Sequence, residues 1–290
     1  MGKYYYLIAG LPNISLDDSK IPFSVDEFRE ELKDVLTDKD RKLLDLFFLR
    51  YDNQNLLDLL LHPQKIRDAR GQFADADFKA VLTALREEEP LAKNALPPYM
   101  IAFLRDYLAE EDKEVVAGQQ ISWEDRLAGR YYDYAMRNAN RFIAYWYELN
   151  LNINNVLTAI TARKYGLDKA LYIVGDNEIA QVLRTSNARD FGLGDAVDYL
   201  PELQRIAEET DLLLREKRLD QLKWHWLDDE TFFKTFDVES VFAYILKLEM
   251  IERWTSLDRA AGEKTFRELI GGMKKGSDNA LGEFKKNNTK

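Results

Sequence analysis

Apolar side chains recur along this chain at intervals of three and four, the spacing that places them on one stripe of a helix. Phe28, Leu32 and Leu36 follow Ser24-Val-Asp-Glu27, which has the spacing of a capping box. There the serine hydroxyl and the glutamate carboxylate each accept a free backbone N–H, so a helix is predicted to start at Ser24. Leu43, Leu44, Phe47 and Phe48 mark a second helix, and Leu56, Leu57, Leu59, Leu60 and Leu61 a third. The third must stop at His62, because the residue before Pro63 avoids the helical region. Further patterns predict helices over about 75–88 and 98–110, the latter opening at Pro97-Pro98.

The longest pattern starts at Ser122-Trp-Glu-Asp125 and runs to about Leu149 with no proline and one glycine, Gly129. It predicts a rod of about 42 Å at ~1.5 Å per residue. Asn150, Asn152, Asn154 and Asn155 are poor helix-interior residues and predict a break, then a new helix to Tyr165 stopped by Gly166. Asn177, Asp195, Asp228 and Asp237 read as later N-caps. Residues 3–8, rich in Tyr and Ile and followed by Gly10-Leu-Pro12, read either as a short strand or as an extended arm. Residues 274–290 carry five Lys against Asp278 and Glu283 with few apolar side chains, which predicts a disordered tail.

A weak internal repeat accompanies these helices. Arg50-Tyr-Asp-Asn-Gln-Asn-Leu-Leu-Asp-Leu-Leu60 and Tyr147-Glu-Leu-Asn-Leu-Asn-Ile-Asn-Asn-Val-Leu157 share an order of aromatic, Asn and apolar run. Aligning Asn55 with Asn152 separates the units by 97 residues, and Glu252, in a third helical stretch 242–254, lies 100 further on. Three related units, or a coincidence between amphipathic helices, would each produce this spacing.

Composition narrows the chemistry. Over 290 residues, hydrophobic side chains make up 46% and charged ones 32%, enough for a sizeable core and too apolar for a disordered chain. Cysteine is absent, which excludes disulfides, thiolate metal sites and Cys nucleophiles and points to a reducing compartment. Net charge is −10, the opposite of the balance expected for a duplex-binding protein, so no nucleic-acid partner is expected. The longest uncharged stretch, 149–162, contains four Asn and two Thr and is shorter than the ~20 apolar residues of a membrane span. The N-terminus is too short and too aromatic for a signal peptide and reads as mature sequence, so the protein is expected in the cytoplasm.

Each candidate site carries a defect. His62 and His225 are the two histidines; Asp58 with His62, and His225 with Asp229, could each share a helix face, but neither pair makes a metal site. Phe191-Gly-Leu-Gly-Asp195 lacks the third glycine of a dinucleotide loop, and Gly262-Glu-Lys-Thr265 has Glu263 where a phosphate loop needs Lys. Asp228-Asp-Glu-Thr-Phe232 approaches the aspartate cluster of isoprenoid synthases, but Phe232 replaces its last acid. In the second such motif, Asp237 and Ser240 are correctly spaced and Tyr244 replaces the acid. Tyr134, Arg137, Arg141, Tyr145 and Glu148 form a basic and aromatic stripe on the long helix that could stack single-stranded nucleic acid. Four Arg and four acidic residues over 121–150 leave that helix neutral, so it reads as a central packing helix. No catalytic, cofactor-binding or metal-ligating residue is therefore assigned.

Three segments resemble one family, the C-type subunit of V/A-type rotary ATPases (the d-type subunit of eukaryotes). Tyr51-Asp-Asn-Gln-Asn-Leu-Leu57 is similar to the acidic residue and Asn-Leu step that opens a helix in that family. Residues 130–162 resemble the order of the family's middle unit: a Tyr- and Phe-studded helix, a short acidic turn, an apolar helix. Lys247-Leu-Glu-Met-Ile-Glu-Arg-Trp254 resembles the last unit's Lys-Glu run and Arg-Asn, with Leu248 interrupting the pair and Trp254 in place of Asn. The opening Lys3-Tyr-Tyr-Tyr-Leu-Ile-Ala-Gly-Leu-Pro12 resembles a bacterial family of unknown function encoded within V-type ATPase gene clusters.

The resemblance implies an all-α fold of three pseudo-repeated helical units around a pseudo-threefold axis, placed at 1–103, 104–200 and 201–273 ahead of the 274–290 tail. It also implies a non-enzymatic component without cofactors, which couples the central stalk to the membrane proteolipid ring and is peripheral to the membrane through that complex. A soluble helical adaptor unrelated to ATPases is the alternative, and an isoprenoid-synthase-like enzyme a more distant one.

Overall fold

Local signals in the sequence and long-range contacts both shape the helices of this chain, whose computed structural model describes residues 4–110 and 121–257. Among the described residues there are eleven α-helices and no strand, and helix accounts for 68% of them, twice the usual share. The all-α expectation holds.

The first helix, α1 (Tyr5–Gly10), replaces the expected strand or arm. With no neighbouring strand to pair with, a helix lets the segment satisfy its own backbone. It is anchored by the buried Tyr4, whose N–H donates to the Phe236 carbonyl at 3.0 Å and whose hydroxyl donates to Asp40 at 2.5 Å. In α2 (Val25–Val35) the capping box forms as read. Glu27 N–H donates to the Ser24 hydroxyl at 3.1 Å, and Ser24 N–H to the Glu27 carboxylate at 2.7 Å.

The expected second and third helices are one, α3 (Asp38–Leu61), ending at His62 as Pro63 requires. Asp52 and Asn55, polar positions between the two apolar patterns, are buried and hold a neighbouring loop. Helices α4 (Asp75–Arg86) and α5 (Pro98–Glu110) match their expected positions closely.

The long rod does not exist as such. It is a hairpin of α6 (Trp123–Met136) and α7 (Arg141–Tyr165). The turn is made by Asn138, whose side chain accepts from Asn140 N–H at 2.8 Å, and by Asn140, which caps α7 by accepting from Ile143 N–H at 3.2 Å. Tyr131 and Tyr147, either side of the turn, then meet edge to face at 5.5 Å. The predicted break at Asn150–155 is absent, because α7 runs through it to Gly166, which takes the expected left-handed C-cap conformation at φ 65°.

Beyond α7, Asn177 caps α8 (Glu178–Thr185) as expected. Asp195, read as an N-cap, lies inside a short 3-10 turn, Gly194–Ala196, and not ahead of a helix. After α9 (Leu200–Glu208) and α10 (Leu212–Thr231), Asp237 precedes α11 (Val238–Ser256) without a side-chain cap bond. Asp228 lies within α10, whose cap is Asp211. The expected unit boundaries at 103/104 and 200/201 fall inside α5 and α9. The tail 274–290 and the Gly262 loop lie outside the described residues.

One continuous apolar core joins the helices. Its largest fully buried side chains include Phe28, Phe48, Phe78, Phe103, Phe142 and Phe242, drawn from α2, α3, α4, α5, α7 and α11. The approach of α6 to the 174–175 loop is tight at Gly129, where a Cβ would come within 3.3 Å of the Gly175 nitrogen.

Candidate functional site

The polar residues buried within α3 and α7 do matching work. Asn55 donates from Nδ2 to the Asp68 carbonyl at 2.9 Å and accepts from the Asp68 N–H at 2.7 Å. Asn155 makes the same two-point clamp on Val174, at 2.8 and 2.9 Å. An amide side chain placed this way imitates a strand partner for one residue of loop backbone, satisfying both its groups.

One turn earlier on each helix, a second polar residue holds the start of a shorter helix. Asp52 Oδ1 accepts from Gln72 and Phe73 N–H at 2.7 and 2.9 Å, just before α4. Asn152 Oδ1 accepts from Nδ2 of Asn177, the cap of α8, at 2.9 Å. On α11, Glu252 Oε1 accepts from the N–H of Val25, the first residue of α2, at 3.2 Å. Asp52, Asn152 and Glu252 thus recur every 100 residues. The register selected by these bonds pairs Asn55 with Asn155, and corrects the 97-residue alignment of Asn55 with Asn152.

Gly71 shows how closely the first loop sits. A Cβ there would fall 2.6 Å from Asn55 Nδ2 and 2.8 Å from Asp52 Oδ1. Asp52 is fully buried and its Oδ2 has no hydrogen-bond partner, so burial pushes its pKa up from the ordinary 3.8 to about 6. An acid whose folded pKa is raised favours folding when protonated. That contribution is complete below about pH 4 and lost as pH rises through about 6. Asp52→Asn removes the charge and keeps the Oδ1 acceptor. It is expected to stabilise the protein at pH 8 by up to about 3 kcal/mol, the value of two pKa units. The gain should vanish near pH 4, as read by urea unfolding at both pH values.

Residues singled out by their spacing are scattered. His62 and His225 are both exposed. Asp58 turns from His62 to Lys65 at 2.9 Å and Gln54 at 2.9 Å. Asp228 pairs with Lys247 at 2.5 Å, Ser240 donates to the Lys234 carbonyl, and Tyr244 donates to the Pro12 carbonyl at 3.1 Å, so the isoprenoid-like acids do not converge. No group of three or more His, Cys, Asp or Glu among the described residues is arranged to hold a metal ion. The turn at 137–140 divides the basic and aromatic stripe. Tyr134 stays on α6 against Tyr99 at 5.1 Å, while Arg141 and Tyr145 lie on α7, 6.0 Å apart.

Sequence reasoning missed an exposed aromatic end. Tyr6 is 88% exposed, Phe232 72% and Phe233 91%. Tyr5 packs on Phe236 at 4.7 Å, so α1 and the α10–α11 loop that bears these rings are joined. The signal was present in Phe232-Phe233, read only as the failure of an acidic cluster.

A protein-family model described as "Protein of unknown function (DUF2764)" matches residues 1–277. The chain belongs to this family. No curated protein and no solved structure matches it. The DUF2764 match covers all eleven helices, including the three that carry Asp52, Asn152 and Glu252. Within this DUF2764 chain, no helix among the described residues is long and apolar enough to cross a membrane.

Proposed function

We propose that the chain is a non-catalytic coupling component of a V/A-type rotary ATPase, standing between the central stalk and the proteolipid ring as the C-type subunit does. The observation that carries this reading is the 100-residue recurrence of Asp52, Asn152 and Glu252 on three long helices, each holding the start of another helix. A part built of three similar helical units is what the resemblance to the C-type family implies. Tertiary ties across 20 to 227 positions of sequence, as these are, also suit a part that must transmit torque without shearing. The exposed rings of Tyr6, Phe232 and Phe233 offer apolar area for a partner to cover.

The test is deletion of the gene, followed by isolation of the ATPase from native membranes. The expected result is loss of the catalytic head and stalk from the membrane fraction, with ATP hydrolysis no longer coupled to ion pumping. An intact, coupled complex would overturn the proposal and favour a helical adaptor unrelated to ATPases.

A further inference from the structure

Between α3, α6, α7, α10 and α11 lies a cavity of about 390 Å³ that the coupling role does not use. One side is aromatic, formed by Tyr132, Trp146 and Tyr147. Tyr131 donates to the Leu46 carbonyl at 2.8 Å and meets the Tyr147 hydroxyl at 3.0 Å, which fixes these rings in place.

The charges of the wall do not balance. Glu249 is taken by Arg50 at 2.9 Å. Asp220 is taken by Arg253 and by the Trp254 indole N–H, the latter at 2.7 Å. With both carboxylates engaged, Lys223 has no ion-pair or hydrogen-bond partner among the described residues. Arg50 adds a buried Nε that has none either. Burial holds the Lys223 pKa below the usual lysine range, with Arg253 adding repulsion and Asp220, Glu216 and Glu249 offsetting part of it. A half-buried cation whose nearby carboxylates are paired with other groups is only partly compensated, and an anion entering beside it adds to that compensation. The wall also carries five aromatic side chains, so inorganic phosphate alone would leave its apolar part against water.

We propose that this cavity binds a small organic anion, with its carboxylate or phosphate group on Lys223 and an aromatic body against Trp146 and Tyr132. The volume is within the range of small-molecule sites, and the half-buried state of Arg50, Lys223 and Glu249 leaves a way in from solvent.

The probe is anilinonaphthalene sulfonate, titrated into the full chain by its own fluorescence and by quenching of tryptophan emission. Its uncharged counterpart, phenylnaphthylamine, has a similar aromatic body. The sulfonate is expected to saturate at one molecule per chain and to bind more tightly than the neutral dye. Lys223→Met should weaken the sulfonate about tenfold and leave the neutral dye unchanged, and Lys223→Arg should restore binding. Displacement of the dye by benzoate or by phenyl phosphate supports the assignment and identifies the preferred anionic group. Equal affinity of wild-type protein for the two dyes, unchanged sulfonate binding in Lys223→Met, or displacement by neither competitor would each overturn it. The comparison of dyes on wild-type protein needs no variant to fold.

Discussion

Replacing Trp146 with Ala is expected to destabilise the protein by about 3–5 kcal/mol, the range for truncating a large buried aromatic. Trp146 is 6% exposed and lies in the first half of α7, with its ring 5.8 Å from that of Trp226 on α10. Phe142, one turn earlier, stacks on the same Trp226 at 5.6 Å and meets Phe242 of α11 at 6.3 Å. The substitution therefore removes a contact by which α7 holds α10, next to an existing cavity that cannot close over the gap. Trp146→Phe should lose much less, since one ring still spans the space. Tyr145→Ala, at a neighbouring position that is 45% exposed, should change stability by no more than about 0.5 kcal/mol. Urea unfolding followed by circular dichroism separates the three. A loss at Trp146 no larger than at Tyr145 would mean that α10 is held elsewhere.

Truncation of Asn155 to Ala should cost about 2–6 kcal/mol, a large effect for a polar side chain. Asn155 is 1% exposed, and its amide satisfies both the N–H and the C=O of Val174. Without it, two backbone groups lose their partners, and each such group costs about 1–3 kcal/mol when buried. Asn155→Asp tests the two-point geometry. The carboxylate can still accept from the Val174 N–H, but it places negative charge against the carbonyl, so this variant should be unstable at neutral pH and partly recover in acid. Asn154→Ala is the control, because Asn154 is exposed and its contact with the Tyr132 hydroxyl is 3.4 Å long. Amide hydrogen exchange at Val174 should rise in Asn155→Ala and stay slow in Asn154→Ala. The same two changes at Asn55 and Gln54 probe the first clamp, on Asp68.

Signals within one turn of backbone were legible in the sequence because they act locally. Ser24 with Glu27, Ser122, Asn177, Pro98 and Gly166 each set a helix end by a bond or a torsion that needs no distant partner. Period and composition were enough for the all-α class. Charge arithmetic and the two separate histidines likewise left no motif complete enough to name a reaction.

Tertiary structure decided what the asparagines do. Asn138 and Asn140 turn the chain, while Asn150, Asn152 and Asn155 lie inside a helix, because the last two find hydrogen-bond partners at Val174 and Asn177 that supply more than the helix propensity they forfeit. The same holds for Asp52 and Asn55 in α3, and it hides the 100-residue register, which is carried by hydrogen-bond roles and not by residue identity: Asp, Asn and Glu fill equivalent places. The 3–8 segment, apolar and aromatic enough for a strand, is a helix from Tyr5, and the described residues offer it no strand edge to join. Lys223 and the exposed rings of Phe232 and Phe233 were in view as ordinary side chains. Only the packing of five helices shows the first without an ion-pair partner among the described residues, and only the meeting of α1 with the α10–α11 loop joins the segment that bears the others to the N-terminal helix. Such pairings join positions up to 227 apart, and one chain's pattern holds no information on which distant residue will lie opposite which.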